Sequence, residues 1–285
     1  MENQRLASFA VLLGGALWGL YWIPLRQIEA AGFQGSWPAA SVFVFALLLA
    51  IPLLIKRRNS LQSRKADFAV VAILAGCALG FYTISLAYTD VIRATLLFYL
   101  TPIWSTLLGV FVLRERLTPG RIFALVLGLS GLAVVLGSGG SGTGYGDAIA
   151  LASGVFWSLA SLKIYRMPRA HSADLTAALI TGCSLFTIGL TLLSAPLPSI
   201  EHLRSAIPWS LGTAVYLFPM MALTLWPATI LTPARVGLLL LSEVLVGVSS
   251  AALFAREPFG LRELAGSLLI VTALLTEVLA KPDDG

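Results

Sequence analysis

The chain has 285 residues and a formal net charge of +5, and 58% of its residues are hydrophobic while only 12% are charged. Its mean hydropathy is +0.88, whereas a soluble domain carries about 25% charged residues and no series of apolar runs near 20 residues long. This composition excludes a soluble globular protein. The positive charge alone would allow nucleic-acid binding, so its distribution along the chain has to be considered.

Ten apolar segments follow one another along the chain, and each has about the 20 residues that a helix needs to cross a bilayer core of about 30 Å. Their predicted bounds are 6–25, 37–55, 68–88, 92–113, 119–138, 147–166, 174–194, 208–229, 233–254 and 262–280. They predict an all-α fold, a polytopic membrane protein with ten transmembrane helices and no soluble domain. The first segment is too long for a signal peptide and lacks a clear cleavage site, so we expect it to be retained.

The basic residues are distributed unequally between the two sides of the membrane. With ten spans, the N-terminus and the even-numbered connections share one side, and that side receives 14 of the 19 Lys and Arg residues. The positive-inside rule places this side in the cytoplasm, with both termini. The basic excess is therefore a signal of topology, and no nucleic-acid partner is expected.

Two halves of the chain, residues 1–142 and 143–285, resemble each other. The segment "LLGGALWGL", which contains Trp18, aligns with "LASGVFWSL", which contains Trp157. Further along, a short charged hairpin followed by an apolar span occurs in each half. We therefore predict an internal repeat of two five-helix units that together form one membrane domain.

The repeat also relates two residues of unusual type for an apolar span. If the alignment of the two halves is allowed an offset of one residue, Pro102 in "YLTPIW" aligns with Glu243 in "LLSEVL". Because each half holds an odd number of spans, the second half must be inverted relative to the first. Inverted repeats are the architecture of alternating-access transporters, in which the substrate site lies near the midplane between the repeats.

These features resemble the drug/metabolite transporter superfamily, and its EamA-type branch in particular. The resemblance rests on the five-plus-five arrangement and on "LLFYLTPIWSTLLGVFVLRERLTPGR" and "LLLLSEVLVGVSSAALFAREP". Within the branch, the sequence is most similar to the bacterial aromatic amino acid exporters. The resemblance implies a multi-pass protein of the bacterial inner membrane that exports amino acids or related metabolites. Many members carry proline where this chain has Val244, so we expect the broken geometry of the fourth span not to be mirrored in the ninth.

Glu243 is the first candidate for the substrate site. A carboxylate near the middle of an apolar span costs free energy unless it is paired, protonated or in contact with water. A cavity-facing, functional role is therefore expected, and a helix-packing hydrogen bond is the alternative. Pro102 removes one hydrogen bond from its helix and bends it. Its kink is either purely structural or exposes backbone groups and acts as a hinge.

The tryptophans divide by their depth in the predicted spans. Four lie near span ends, where an aromatic belt at the membrane surface explains them: Trp22, Trp37, Trp209 and Trp226. Trp18 and Trp157 lie near span centres, as does Trp104. We include the repeat-related pair, Trp18 and Trp157, among the substrate-binding candidates, with packing alone as the alternative.

Polar groups inside the spans complete the candidate site. The hydroxyls of Tyr82 and Tyr99 need partners in a dry interior. Tyr82, Ser85 and Thr89 follow the i, i+3, i+7 spacing of one helix face, which predicts a polar stripe facing the bundle or a cavity. Lys163 is also a candidate, although its side chain could instead extend toward water at the cytoplasmic side.

No catalytic residue, metal ligand or cofactor is predicted. The two histidines fall in predicted loops, and the sequence has no H-E-x-x-H, no G-x-S-x-G and no Walker lysine. We predict a secondary transporter, not an enzyme, that exports aromatic and other neutral amino acids by alternating access. Its expected partners are a small-molecule substrate and the lipid bilayer, and a monomer is compatible with the sequence. Two alternatives stay open: export of another metabolite or a drug, and a membrane-embedded enzyme, which would need a nucleophile and base or metal ligands at midplane depth.

Overall fold

A computed structural model of the chain describes residues 2–85, 88–89, 91–136, 144–167, 170–254 and 259–279. Within these ranges the chain forms α-helices and no β-strand, which confirms the all-α prediction. The helices are α1 (Glu2–Leu20), α2 (Trp22–Ala30), α3 (Trp37–Lys56), α4 (Arg58–Ser63), α5 (Lys65–Ser85), α6 (Val91–Phe98), α7 (Thr101–Leu113), α8 (Pro119–Leu136), α9 (Tyr145–Tyr165), α10 (Ser172–Ser194), α11 (Ile200–Ala228), α12 (Pro233–Leu239), α13 (Ser242–Phe254) and α14 (Leu261–Leu279). The predicted boundary between the halves, at residues 142 and 143, lies outside the described ranges.

Seven helical stretches in the described part of the chain are long and apolar enough to cross a bilayer. They are Asn3–Ala30, Trp37–Lys56, Lys65–Ser85, Tyr145–Tyr165, Ser172–Ser194, Ile200–Ala228 and Pro233–Phe254. Two further apolar helices are shorter, Thr101–Leu113 and Pro119–Val134. The described part of the chain is thus all-helical, the protein is a multi-pass membrane protein, and a total of ten spans stays a prediction.

Two of the predicted spans are broken near their middle. The fourth is divided into α6 and α7, and the ninth into α12 and α13. At the first break the amide of Ile103 donates to the carbonyl of Leu100 at 2.9 Å, and at the second the amide of Val244 donates to the carbonyl of Leu241 at 3.1 Å. Both bonds connect residues three apart, as in a 3₁₀ turn. The helix is therefore wound more tightly at each break, and its series of α-helical hydrogen bonds is interrupted there. Pro102, which has no N–H, accounts for the first break.

The expectation that the ninth span stays unbroken because it carries Val244 is wrong. At the position that corresponds to Pro102, the amide of Glu243 donates to the carbonyl of Leu240 at 2.9 Å. This is again a bond between residues three apart, and it replaces the bond of a regular α-helix. A tightened turn therefore produces the second break without a proline.

Contacts between helix ends define two opposite ends of the bundle. Arg57, which follows α3, donates to Asp174 in the first turn of α10 at 2.6 Å. Trp37 at the start of α3 donates to the carbonyl of Pro196, just beyond α10, also at 2.6 Å. The two helices are therefore antiparallel. We call the end that holds Arg57, Asp174 and Lys163 the basic end, and the end that holds Trp37 and Pro196 the mouth end.

Small residues let neighbouring helices approach closely. A side chain at Gly182 in α10 would overlap the backbone of Ala72 in α5. A Cβ atom at Gly131 in α8 would lie 2.7 Å from the carbonyl oxygen of Gly266 in α14. Because lipid provides no hydrophobic drive for helix association, such backbone approaches contribute much of the packing energy in membranes. These contacts hold the helix pairs that enclose the centre of the bundle.

Candidate substrate cavity

A cavity of about 700 Å³ lies inside the bundle, a size that suits a small organic molecule. Both halves of the chain contribute to its wall, through helices from α1 to α13. The aromatic residues in the wall are Trp18, Tyr21, Trp22, Phe43, Tyr82, Tyr88, Phe98, Tyr99 and Trp157. A ligand in this cavity would therefore meet ring surfaces on several sides.

Contacts between the rings fix the aromatic part of the wall. Trp18 and Tyr21 meet edge to face, with ring centroids 5.6 Å apart. Phe98 contacts Tyr82 at 5.1 Å and Tyr99 at 5.5 Å. Such pairs favour defined geometries over loose contact, so the wall is held in place by its own packing.

The two helix breaks meet at the cavity. Thr101 and Pro102, at the start of α7, line the wall beside Gly237 and Leu240, at the end of α12. Gly237 allows the close approach, because a Cβ atom there would lie 3.3 Å from the Cα atom of Pro102. All residues of α12 are buried. This contact places the tightened turns of both halves against one another.

Glu243 lines the cavity from the first turn of α13, and its side chain is half-buried. The hydroxyl of Tyr99 hydrogen-bonds its carboxylate. The positive end of the α13 dipole also favours a negative charge at this position. Nearby, the hydroxyls of Tyr82 and Thr95 are 3.0 Å apart. The carboxylate can accept a hydrogen bond from a cationic ligand group in a cavity whose wall is mostly apolar.

Serine side chains anchor α9, which carries Trp157, to α7. The hydroxyl of Ser105 donates to that of Ser158 at 3.1 Å, and both residues are buried. The Ser158 hydroxyl lies 2.9 Å from the carbonyl oxygen of Gly154 and 3.3 Å from that of Thr101. The position of the Trp157 ring is thereby tied to the break in the fourth predicted span.

The structure brings most of the predicted site residues together in one wall. These are Trp18, Tyr82, Tyr99, Pro102, Trp157 and Glu243. They come from both halves of the chain and are far apart in sequence. Their part in binding a substrate stays a prediction.

Ser85 does not line the cavity. It is buried at the end of α5, and its hydroxyl donates to the carbonyl of Tyr82 at 2.7 Å. The predicted polar stripe is wrong, because α5 ends at Ser85 and Thr89 lies beyond the helix. Thr89 instead donates to Asp147 in the first turn of α9 at 2.6 Å.

Lys163 is also outside the wall and lies at the basic end. Its ammonium group donates to the carboxylate of Asp67 at 2.6 Å. Arg64 contacts the other oxygen of the same carboxylate at 3.1 Å. Both Lys163 and Asp67 are partly exposed, so this cluster joins α9 to the start of α5 at the end of the bundle and does not reach the cavity.

Tyr21 and Trp22 belong to the wall although the sequence analysis did not propose them. Trp22 was assigned to the aromatic belt, but its indole N–H donates to Ser250 at 3.0 Å and its ring faces the cavity. The guanidinium of Arg26 lies 5.2 Å from the centre of that ring. The sequence does contain a pattern that could have identified them, because Tyr21 and Trp22 follow Trp18 at spacings of three and four residues, which share one helix face.

The cavity reaches one end of the bundle and is closed at the other. Gly35, Ser36, Ser194 and Ala195, all at the mouth end, form part of its wall. None of the ion pairs of the basic end contributes to the wall that the structure describes. The hydrogen bond to Asp174 raises the pKa of Arg57, so this pair stays charged.

A buried cluster of charges also closes the basic end. Arg121 donates to Glu115 at 2.9 Å, and its guanidinium lies 3.8 Å from the carboxylate of Glu277. Arg235 in α12 lies 4.0 Å from the same carboxylate. The cluster links α12 to α8 and α14 on the far side of the cavity from the mouth.

Comparison with known proteins finds similarity to transporters. The EamA-like transporter family model matches residues 5–137. The uncharacterized transporter YvbV of Bacillus subtilis (strain 168) is 26% identical over 282 residues, which are 96% of this chain and 90% of that protein. The uncharacterized transporter YoaV of the same organism is 24% identical over 173 residues, 57% of each chain. A crystal structure of a protein that is 19% identical shares the fold, with a TM-score of 0.73 over 97% of this chain and 96% of that one.

Proposed function

We propose that this protein is a secondary transporter of the EamA-like family that exports aromatic and other neutral amino acids across the bacterial inner membrane by alternating access. The similarities to EamA-like transporters support membership of that family, and they favour a transporter over an enzyme. The single observation that carries the choice of cargo is the aromatic wall around the carboxylate of Glu243.

The wall suits a flat apolar side chain. Each offset or edge-to-face ring contact contributes about 0.5–1.5 kcal/mol beyond the burial of apolar area. A cargo with a charged side chain would need an opposite charge for that side chain as well, because desolvating an unpaired ion is costly. The charged residues in the described wall are Glu29, near the mouth end, and Glu243. This supports phenylalanine, tryptophan and large aliphatic amino acids over glutamate or lysine.

The cavity also offers groups that complement the ammonium and carboxylate groups of an amino acid. Glu243 would accept hydrogen bonds from the ammonium group, as Tyr99 now donates to it. The start of α7 at Thr101 and Pro102 presents the positive end of a helix dipole to the cavity. Broken helices of transporters use such ends for the carboxylate of their substrates.

The inverted repeat of two five-helix units belongs to this proposal. The tightened turns of α6–α7 and α12–α13 have matching hydrogen bonds. The packing is also similar when the halves are exchanged, since α1 packs on α13 as α9 packs on α6 and α7, and α5 packs on α10 as α11 packs on α3. These relations support ten passes and a pseudo-twofold relation between the halves.

The orientation follows from the basic end. Under the positive-inside rule this end faces the cytoplasm and holds both termini. The mouth end then faces outward, and the structure represents a state open to the outside. Opening to the cytoplasm would require α7 and α12 to separate and the ion pairs of the basic end to rearrange.

Counterflow in proteoliposomes tests the proposal. Vesicles loaded with unlabelled phenylalanine should accumulate labelled phenylalanine transiently, and the label should be recovered chemically unchanged. Protein-free vesicles provide the control. An enzyme would instead convert the label to a new compound, and accumulation no faster than in protein-free vesicles would contradict transport of this cargo.

A further inference from the structure

The half-helices α7 and α12 lie between the cavity and the basic end. α7 runs from Pro102 in the cavity wall to the basic end, where Arg166, just beyond α9, donates to the carbonyl of Val112 at 3.1 Å. α12 runs in the opposite direction and reaches the cavity at Gly237 and Leu240. A path from the cavity to the cytoplasmic side therefore opens when these two half-helices move apart.

The carboxylate of Glu115 is attached firmly to α7, although the residue lies beyond the last turn of that helix. Its amide donates to the carbonyl of Gly109 at 3.0 Å, and Arg114 before it adopts the left-handed conformation, with a φ of 59°. A bond between residues six apart around a left-handed residue is the Schellman closure of a helix. The Glu115 side chain also lies over α7, since a Cβ atom at Gly109 would be 3.0 Å from its carboxylate oxygen. Glu115 therefore moves with α7.

Charged side chains connect Glu115 to α12 through two other helices. Arg121, in the first turn of α8, donates to Glu115 at 2.9 Å and lies 3.8 Å from Glu277 in α14. The carboxylate of Glu277 in turn lies 4.0 Å from Nε of Arg235 in α12. Arg121, Glu277 and Arg235 are all buried. The contacts thus form a continuous series from α7 to α12.

Charged groups in the interior of a membrane protein are costly, so this series needs a physical reason. A permanent contact between α7 and α12 could be made equally well or better by apolar residues, because desolvation offsets much of the attraction in a buried ion pair. Charged groups differ from apolar ones when the contact breaks, since the water that enters can hydrate them. The series therefore suits a contact that forms and breaks during transport.

We propose that the four charged residues act as a latch that holds α7 and α12 together while the cytoplasmic side is closed. The latch consists of Glu115, Arg121, Glu277 and Arg235. This inference rests on the proposed alternating access. Because the latch has two carboxylates and two guanidiniums, neutralising one residue leaves a buried charge without balance in the closed state. Water hydrates that charge in the open state, so a single neutralisation should favour opening.

A cysteine at Ser105 reports whether α7 and α12 have separated. Ser105 is buried in α7, and a Cβ atom at Gly237 would lie 3.5 Å from its hydroxyl oxygen, so the side chain faces α12. Ser105→Cys is introduced after the buried Cys77 and Cys183 are replaced by alanine. An impermeant thiol reagent is then applied to inside-out membrane vesicles, which present the cytoplasmic side. With the latch intact, labelling should be slow.

The latch variants should expose this cysteine. Arg235→Gln should raise the labelling rate about tenfold or more, because it leaves the latch with an unbalanced negative charge. Glu277→Gln should raise the rate likewise, since it leaves an unbalanced positive charge. The double variant Arg235→Gln/Glu277→Gln retains the pair of Arg121 and Glu115 and should label more slowly than either single variant. A general loss of packing would instead make the double variant label at least as fast as the single ones.

The matched control is Arg64→Gln. Arg64 pairs with Asp67 at 3.1 Å, both side chains are partly exposed, and the pair does not connect α7 to α12. The labelling rate should therefore stay unchanged. If Arg235→Gln does not reach the membrane, Arg235→Lys replaces it; this variant keeps the charge but loses the planar guanidinium, and it should raise the rate by a smaller factor.

Two results would overturn the latch. One is an unchanged labelling rate in the Arg235 variant, and the other is a double variant that labels as fast as the single ones. The labelling needs no cargo, so its outcome is independent of phenylalanine counterflow. The latch can therefore fail while the proposed cargo stands, and the cargo can be wrong while the latch stands.

Discussion

The hydroxyl of Tyr99 hydrogen-bonds the carboxylate of Glu243, and this contact joins the two broken helices across the cavity. Tyr99 lies in the turn between α6 and α7, and Glu243 lies in the first turn of α13. The ammonium group of a cargo can replace the tyrosine as a donor to the same carboxylate. Cargo binding and the contact between the halves are thereby coupled at one residue.

Substituting Glu243 tests this coupling. We expect Glu243→Gln to lower phenylalanine flux about tenfold or more, because hydrogen bonds to charged groups are worth about 1.5–3 kcal/mol and the amide lacks the charge. Flux is measured in proteoliposomes with protein amounts matched after reconstitution. The exposed Glu201, in the first turn of α11, provides the control Glu201→Gln, which should leave flux unchanged. Normal transport by Glu243→Gln would show that the carboxylate serves only helix packing.

The aromatic wall should discriminate between cargoes. We expect Tyr82→Ala or Tyr99→Ala to weaken transport of phenylalanine about two- to tenfold more than transport of threonine, since the small cargo makes few ring contacts. Competition for flux by the two unlabelled amino acids gives the ratio. Trp209→Ala, at a side chain 48% exposed on α11, should leave the ratio unchanged. Equal losses for both cargoes would show that the rings support the fold and do not select the cargo.

The orientation of the chain can be tested with single cysteines. The buried Cys77 and Cys183 are first replaced by alanine. An impermeant thiol reagent on intact cells should then label Gln34→Cys at the mouth end but not Asn59→Cys at the basic end, both exposed positions. A cysteine in the predicted outer loop 139–146, most of which lies outside the described residues, should also be labelled. Labelling of Asn59→Cys would contradict the orientation and, with it, the outward-open assignment.

Close helix packing predicts opposite results at two glycines of α10. Gly182→Ala should lower the free energy of unfolding in detergent by about 1–3 kcal/mol, because the new methyl group would overlap the backbone of Ala72. Gly189→Ala is the matched control, since nothing lies within 4 Å of a Cβ atom there. It should be neutral or stabilising by up to about 1 kcal/mol, the difference in helix propensity. Equal stability of both variants would contradict the observed contact between α5 and α10.

Much of the fold could be predicted from hydropathy because the bilayer imposes a length and an apolar composition on each span. The break at Pro102 was visible, since proline leaves a known signature in the sequence. The break before Glu243 was not, because a tightened turn in a run of leucine and valine needs no special residue. Leu240 and Val244 give no sign of it in the sequence.

The candidate site could be predicted only in part, because its residues are far apart along the chain. Trp18, Trp157 and Glu243 stand out because aromatic or charged residues are unusual at span centres, and all three line the cavity. Lys163 was ambiguous because nothing in the local sequence reveals its ion pair with Asp67, which lies in another helix. Tyr21 was missed because the end of the first predicted span was taken as membrane surface, whereas the chain turns there and the cavity extends to it.

Competition against phenylalanine flux measures the chemistry of the cargo most directly. Labelled phenylalanine is transported by purified protein in proteoliposomes, with equal concentrations of unlabelled phenylalanine, tryptophan, leucine, lysine, glutamate or a phosphorylated sugar on the same side. The aromatic wall around a single central carboxylate predicts strong competition by tryptophan, weaker competition by leucine and none by the last three. Lysine or the phosphorylated sugar competing more strongly than unlabelled phenylalanine itself would contradict the account.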